Sequence, residues 1–198
     1  MIQLLGRATS GNVQKVIFLL EELGLPFERK DYGKQWENTT TPEYIAMNPI
    51  KKVPTLIDGD NVIWQSNTIL RYLAATHPTA LYPADLAQRA KIDSWMDWTL
   101  SELNGAYLGG FKDAKKPDAE RAADTVPNLA AELKVLEAQL SKNAFVAGAQ
   151  FSLADIALGP IVKRCIGFPL GLPVFPKTAA WVAVLQARPA FQKAVAAG

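Results

Sequence analysis

Of 198 residues, 49% are apolar and 20% charged, the profile of a folded globular chain rather than a disordered one. The 21 Lys and Arg nearly balance the 19 Asp and Glu, with no basic stripe, which excludes the electrostatic footprint of a nucleic-acid binder. A single cysteine, Cys165, and a single histidine, His77, exclude an internal disulfide and any Cys- or multi-His metal site, so no metal is expected. Read along the chain, IQLL predicts a first strand and the alternating FERKDY a second. Between them Val13, Val16, Ile17, Leu20 and Leu23 recur at helical spacing; that helix stops at Gly24, with Pro26 just beyond. Thr41-Pro42 starts a short second helix, which must end before Pro49 because the residue preceding a proline is pushed out of the α region. VPTLI and NVIWQ flank the turn DGD as an antiparallel hairpin, and Ser66 caps a third helix with Ile69, Leu70 and Leu73 inward.

The order β-α-β-α-β-β-α over residues 1–76 is that of a small α/β domain. Residues 77–86 carry two prolines and no periodicity, and read as a linker. Residues 87–198 read as helix throughout. One stripe runs through Ile92, Trp95, Met96, Thr99, Leu103, Ala106 and Tyr107, another through Val126, Leu129, Leu133, Leu136 and Leu140. Pro127 either starts the second of these helices or kinks it, and Pro160 poses the same question further on. No apolar stretch approaches the ~20 residues that span a bilayer. MIQLLGR also lacks the basic and long apolar regions of a secretory signal. The expectation is a cytoplasmic protein with no membrane association.

The turn GRATSGN, between the first strand and the first helix, sits where a phosphate loop would. Gly6 and Gly11 have the spacing of a nucleotide-binding P-loop, but Asn12 stands where its lysine is needed, and Gly-x-Gly-x-x-Gly is absent. What remains is Thr9, Ser10 and Asn12 at a helix N-terminus, whose unpaired N–H groups favour negative charge. On these residues alone, Ser10 or Asn12 is either an N-cap or a ligand contact.

Three further features add to this turn: Val53-Pro54 at the start of the third strand, Gln65-Ser66 at the start of the third helix, and a helical second half. Together they resemble the glutathione transferase family, and the resemblance covers nearly the whole chain. FSLADIAL is similar to the family's helix-capping motif, with Ser152 and Asp155 at capping-box spacing and Phe151 and Ile156 spaced as a hydrophobic staple. RPAF at 188–191 is common in bacterial members. The resemblance implies a thioredoxin-like glutathione-binding domain over 1–76 and an all-α helical-bundle domain over 87–198.

It also implies roles. Ser10 is the catalytic hydroxyl, donating to the glutathione sulfur, with Asn12 as a second donor. Pro54 is cis, and Val53 offers its backbone N–H and C=O to the cysteinyl part in the manner of an added strand. Gln65-Ser66 hold the γ-glutamyl end, and Lys52 meets the glycyl carboxylate. Gln65 stands where many relatives carry an acidic residue, so its contact is a neutral hydrogen bond. The turn has neither tyrosine nor cysteine, and Cys165 reads as a small buried hydrophobe. His77, beside Pro78, is not placed to activate a serine, which counts against a Ser-His-Asp hydrolase. Tyr107 and Phe111 could reach the electrophile, which in this family lies between the domains; Trp95 and Trp98 read as core. The expectation is a cytoplasmic homodimer with glutathione as co-substrate, acting in detoxification. It would conjugate an electrophilic small molecule or reduce a peroxide or disulfide. The alternative is a non-catalytic relative that uses the same fold as a ligand-binding or protein-interaction module.

Overall fold

Four short strands form one mixed sheet in the computed structural model of the chain, which describes residues 1–196. Strand β1 (Ile2–Leu5) pairs in parallel with β2 (Phe27–Lys30) and antiparallel with β3 (Thr55–Asp58), which turns at Gly59 into β4 (Asn61–Trp64). The order is β2-β1-β3-β4. A parallel neighbour needs a crossover, and α1 (Gly11–Glu22) supplies it. Gly24 ends this helix in the left-handed region at φ 64°, where its N–H reaches the Glu21 carbonyl and that of Leu25 the Leu20 carbonyl. The short α2 (Pro42–Met47) is capped by Thr41, whose side chain accepts from the Tyr44 N–H, and α3 (Ser66–Thr76) completes the expected thioredoxin-like order. Leu4, Val13, Val16, Leu56, Ile69, Leu70 and Leu73 are all buried at its core.

The rest is helical: α4 (Leu86–Trp98), a π-helical turn over Thr99–Leu103, α5 (Asn104–Asp113), α6 (Thr125–Leu140), α7 (Leu153–Gly167), α8 (Pro176–Gln186) and α9 (Pro189–Val195). Pro127 lies in the first turn of α6, where its missing N–H has no intrahelical partner to lose, whereas Pro160 lies inside α7. Helix α8 begins at Pro176 behind Phe175, which has no capping side chain. Glu137 of α6 replaces the cap, its carboxylate accepting from the N–H groups of Lys177 (2.9 Å) and Thr178 (2.8 Å) and from the Thr178 hydroxyl.

Two compact units result, Met1–Tyr82 joined by the chain from Arg188 onward, and Pro83–Ala187. The division at Tyr82 falls within the expected linker 77–86, but the far end differs from the expected helical segment 87–198. Helix α9 packs on α1: Phe191 meets Phe18 edge-on at 5.1 Å, Arg188 makes a two-pronged ion pair with Glu22 (2.6 and 2.7 Å), and Lys193 reaches Glu21. Periodicity identifies a helix but not its partner. Ala197 and Gly198, the end of that segment, lie outside the described residues. Strand β2 ends at Lys30, short of the full FERKDY. Trp95 and Trp98 are half-buried against each other, with ring centroids 5.3 Å apart, rather than deep in the core.

Ser152 and Asp155 form the capping box of α7. Asp155 also reaches further. It accepts from the Ser152 N–H (2.8 Å) and hydroxyl, the Val146 N–H (3.0 Å) and the Trp181 indole N–H (2.9 Å), all buried. Phe151 packs against Phe145 beside it. Removing this carboxylate orphans several buried donors at once. Asp155→Ala should therefore cost about 2–4 kcal/mol in a denaturant titration, above the ~0.5–2 kcal/mol of an ordinary cap. A wild-type midpoint would contradict this.

Candidate active site

Gly6 answers to packing rather than to a phosphate. A Cβ placed there would fall 2.5 Å from Val13 Cγ2 and 3.3 Å from the Cβ of Val53, so only glycine lets the first turn close against the Val53 loop. The turn from Gly6 to Ser10 has no regular ladder, and its backbone groups are met one by one. The Gly6 N–H donates to the Lys30 carbonyl and the Arg7 N–H to that of Tyr32. Arg29 Nη1 donates to the Gly6 carbonyl (2.9 Å) and Gln14 Nε2 to the Ala8 carbonyl (3.0 Å). The turn is thus fixed by side chains from β2 and α1.

Ser10 is the N-cap of α1 in extended backbone, 8% exposed, and its hydroxyl makes no capping hydrogen bond to the helix. The main-chain part of the cap is in place, with the Gln14 N–H donating to the Ser10 carbonyl. The side chain is therefore uncommitted to the helix, and a purely capping role does not account for it. Asn12 lies two residues further on, and its Oδ1 accepts from the Ser66 hydroxyl at 3.3 Å. That contact ties the start of α1 to the start of α3 and corrects one expectation. Ser66 is the first residue of α3 rather than its cap; the cap position is Gln65, whose side chain makes no capping bond.

Gln65 has φ 71°, a region that non-glycine residues occupy at a cost of ~1–3 kcal/mol unless their surroundings impose it. It lies on the rim of a cleft lined by Asn12, Asn48, Ile50, Lys52, Val53, Pro54, Trp64, Gln65 and Ser66. Of the residues singled out in the sequence, Asn12, Lys52, Val53, Pro54, Gln65 and Ser66 are brought together here. Ser10 is not in this lining; it stands at the head of the same helix as Asn12. The Val53-Pro54 peptide is cis. Among the described residues, neither the N–H nor the C=O of Val53 has a hydrogen-bond partner, although the peptide carbonyl just before it has two. Those two donors, Tyr44 and Asn48, are buried polar residues that the sequence reading missed.

Tyr107 and Phe111 lie one turn apart on α5 in the other unit, with centroids 6.1 Å apart. Tyr107 is buried and stacks on Phe168, and the Lys115 ammonium sits 4.1 Å above the Phe111 ring. Cys165 is buried in α7, and burial pushes its thiol up to about 12, so it stays protonated at neutral pH. His77 is the C-cap of α3, at the opposite end of that helix from Ser66. Among the described residues, no three His, Cys, Asp or Glu side chains cluster as a metal site, and no helix is long and apolar enough to cross a membrane.

Comparison with known proteins finds relatives over nearly the whole chain. The family described as "Glutathione S-transferase, N-terminal domain" matches residues 2–75, and "Glutathione S-transferase, C-terminal domain" matches residues 74–189. The chain is 34% identical to the glutathione S-transferase GstB of Escherichia coli K12, covering 98% of each. It is 35% identical to glutathione S-transferase 3 of Zea mays, over 99% of this chain and 94% of that one. Among solved structures it is similar to the theta class glutathione S-transferase of Xanthomonas axonopodis pv. citri with glutathione bound. The TM-score is 0.92 and the identity 38%, over 98% of this chain and 96% of that one.

Proposed function

The chain belongs to the glutathione S-transferase family and is a glutathione transferase, and from that premise we propose that its cleft holds glutathione along the Val53 edge while Ser10 stabilises the thiolate. One observation carries the binding half: Val53 lines the cleft, and among the described residues neither its N–H nor its C=O has a hydrogen-bond partner. That is the edge to which an extended peptide adds as a strand, and the cysteinyl part of glutathione supplies the matching pair. Ser66 and the N-terminus of α3 suit the γ-glutamyl carboxylate, through a hydroxyl and N–H groups without intrahelical partners. Gln65 faces the γ-glutamyl ammonium as a neutral acceptor, and Lys52, exposed on the rim, faces the glycyl carboxylate.

The chemical half rests on the Ser10 hydroxyl. An ordinary thiol has a pKa near 8.5, and lowering it by ~2 units takes about 2.7 kcal/mol of preferential stabilisation of the anion. A charge-assisted hydrogen bond from Ser10, with the N-terminus of α1 behind it, is of that size. The thiol proton leaves to solvent and the sulfur forms a bond to the electrophilic atom, whose leaving group departs with its electron pair. With a peroxide the same thiolate attacks one oxygen and expels the other as alkoxide or hydroxide, and a second glutathione converts the sulfenic acid to the disulfide and water. With a disulfide it forms the mixed disulfide and expels a thiolate. Ser10 is a donor throughout, never the nucleophile. Tyr107 and Phe111 are the proposed aromatic contacts for the electrophile.

A co-substrate that works as a free thiol fits a reducing compartment, which supports a cytoplasmic location and a part in detoxification. Family membership supports a twofold homodimer. Light scattering should give a mass near twice 21.6 kDa at micromolar concentration, and a monomer would refute it.

Ser10→Ala should raise the pKa of bound glutathione by about one to two units, read from the ultraviolet thiolate band. Turnover at neutral pH should fall about tenfold or more, with little change in glutathione affinity. A lower melting temperature with the titration unmoved would return Ser10 to a capping role. A shift in Asn12→Ala or Thr9→Ala instead would assign the donor to that neighbour.

A further inference from the structure

Behind the cleft, the Lys52 carbonyl accepts two hydrogen bonds, from Tyr44 Oη (2.8 Å) and Asn48 Nδ2 (2.7 Å). Both donors also meet Thr55 Oγ1, Tyr44 at 2.9 Å and Asn48 at 3.0 Å. Tyr44, Asn48 and Thr55 are each at most 2% exposed. Counting protons gives one consistent arrangement. The Tyr44 hydroxyl has a single hydrogen and spends it on the Lys52 carbonyl, so it accepts from Thr55. Asn48 uses its two amide hydrogens on Lys52 and Thr55, and its Oδ1 accepts from the Ile50 N–H at 3.1 Å. Thr55 then accepts from Asn48 and donates to Tyr44. Each side-chain donor has a partner.

The anchor of this cluster is the sheet, since Thr55 is the first residue of β3 and pairs with Leu5 on one side and Trp64 on the other. Its reach is the cleft, because Lys52 immediately precedes Val53. A peptide plane is rigid, so fixing the Lys52 carbonyl also fixes the direction of the Val53 N–H on the same peptide unit. Tyr44 is further held by stacking on Tyr32 at 5.2 Å, and burial raises its pKa, so it remains a donor above neutral pH.

We propose that Tyr44, Asn48 and Thr55 are positioning residues for glutathione: they lock the Lys52 carbonyl and thereby aim the Val53 N–H at the cysteinyl carbonyl. This rests on the reading of the cleft as the glutathione site. It assigns the cluster to binding rather than to ionisation of the thiol, because the Ser10 turn is held separately by Gln14 and Arg29.

Tyr44→Phe keeps the ring and removes one of the two locks. Glutathione Kd by calorimetry and KM should rise about five- to tenfold, the effect of one lost hydrogen bond and a loosened peptide. The kcat at saturating glutathione and the pKa of the bound thiol should stay near wild type. Asn48→Asp, which turns a donor towards the carbonyl into an acceptor, should act in the same direction. A folded Tyr44→Phe that melts lower but keeps its Kd and KM overturns the proposal, as does a loss confined to kcat. Failure of both variants to fold would make the cluster a folding element and overturn it too. Ser66→Ala separates the two readings. If it weakens glutathione binding while Tyr44→Phe does not, only the positioning role fails; if it leaves binding untouched, the cleft itself was misassigned.

Discussion

Backbone carbonyls in irregular segments have no ladder or helix to satisfy them, and at this site side chains do the work. Gly6, Ala8 and Lys52 each lie in a stretch between regular elements, and their carbonyls accept from Arg29, Gln14, Tyr44 and Asn48. Leaving such a group buried and unpaired costs about 1–3 kcal/mol, so these bonds favour one conformation of each loop. Their placement also determines what is left over. With these carbonyls occupied, both backbone groups of Val53 are without a hydrogen-bond partner among the described residues, and the Ser10 side chain makes no capping bond. The frame is satisfied internally, and the groups it withholds from itself are those a ligand can use.

On the proposed reading, binding and ionisation fall to different elements of one unit. The Val53 edge is tied to the sheet through Thr55, whereas the Ser10 turn is tied to β2 and α1. Asn12 and Ser66 join the starts of α1 and α3, so two helix N-termini border the same region. Gly6 lets the first turn lie close against Val13 and the Val53 loop. The chain's own thiol does not compete, since Cys165 is buried and protonated.

Local signals were legible in the sequence wherever they decided the outcome. Gly24 and Pro26 stop α1, Thr41-Pro42 starts α2, and Ser152 with Asp155 caps α7. The cis Val53-Pro54 bond was legible only through the family resemblance, because spacing does not distinguish the isomers. What escaped was set by distant packing. Lys15, a charged residue that lies off the apolar stripe of α1, is 1% exposed, and burial pulls its pKa down to about 7. Helix α1 packs against both α3 and α9, and α9 comes from the far end of the chain, so the amphipathic pattern understates its burial. Tyr44, Asn48 and Thr55 are ordinary residues in sequence; only the fold brings the Tyr44 hydroxyl and the Asn48 amide to one carbonyl, with the Thr55 hydroxyl bonded to both.

This frame leaves the Ser10 hydroxyl uncommitted to the helix, and in the proposed mechanism that hydroxyl favours ionisation of a bound thiol. Calorimetric titration of glutathione near neutral pH, repeated in buffers of different ionisation enthalpy, counts the protons exchanged on binding. A thiol whose pKa falls by ~2 units from about 8.5 releases a large fraction of one proton per site near pH 7. Binding enthalpies should therefore vary with buffer, with a slope that reports release. Binding with no buffer dependence would mean that the thiol stays protonated, and would contradict the account.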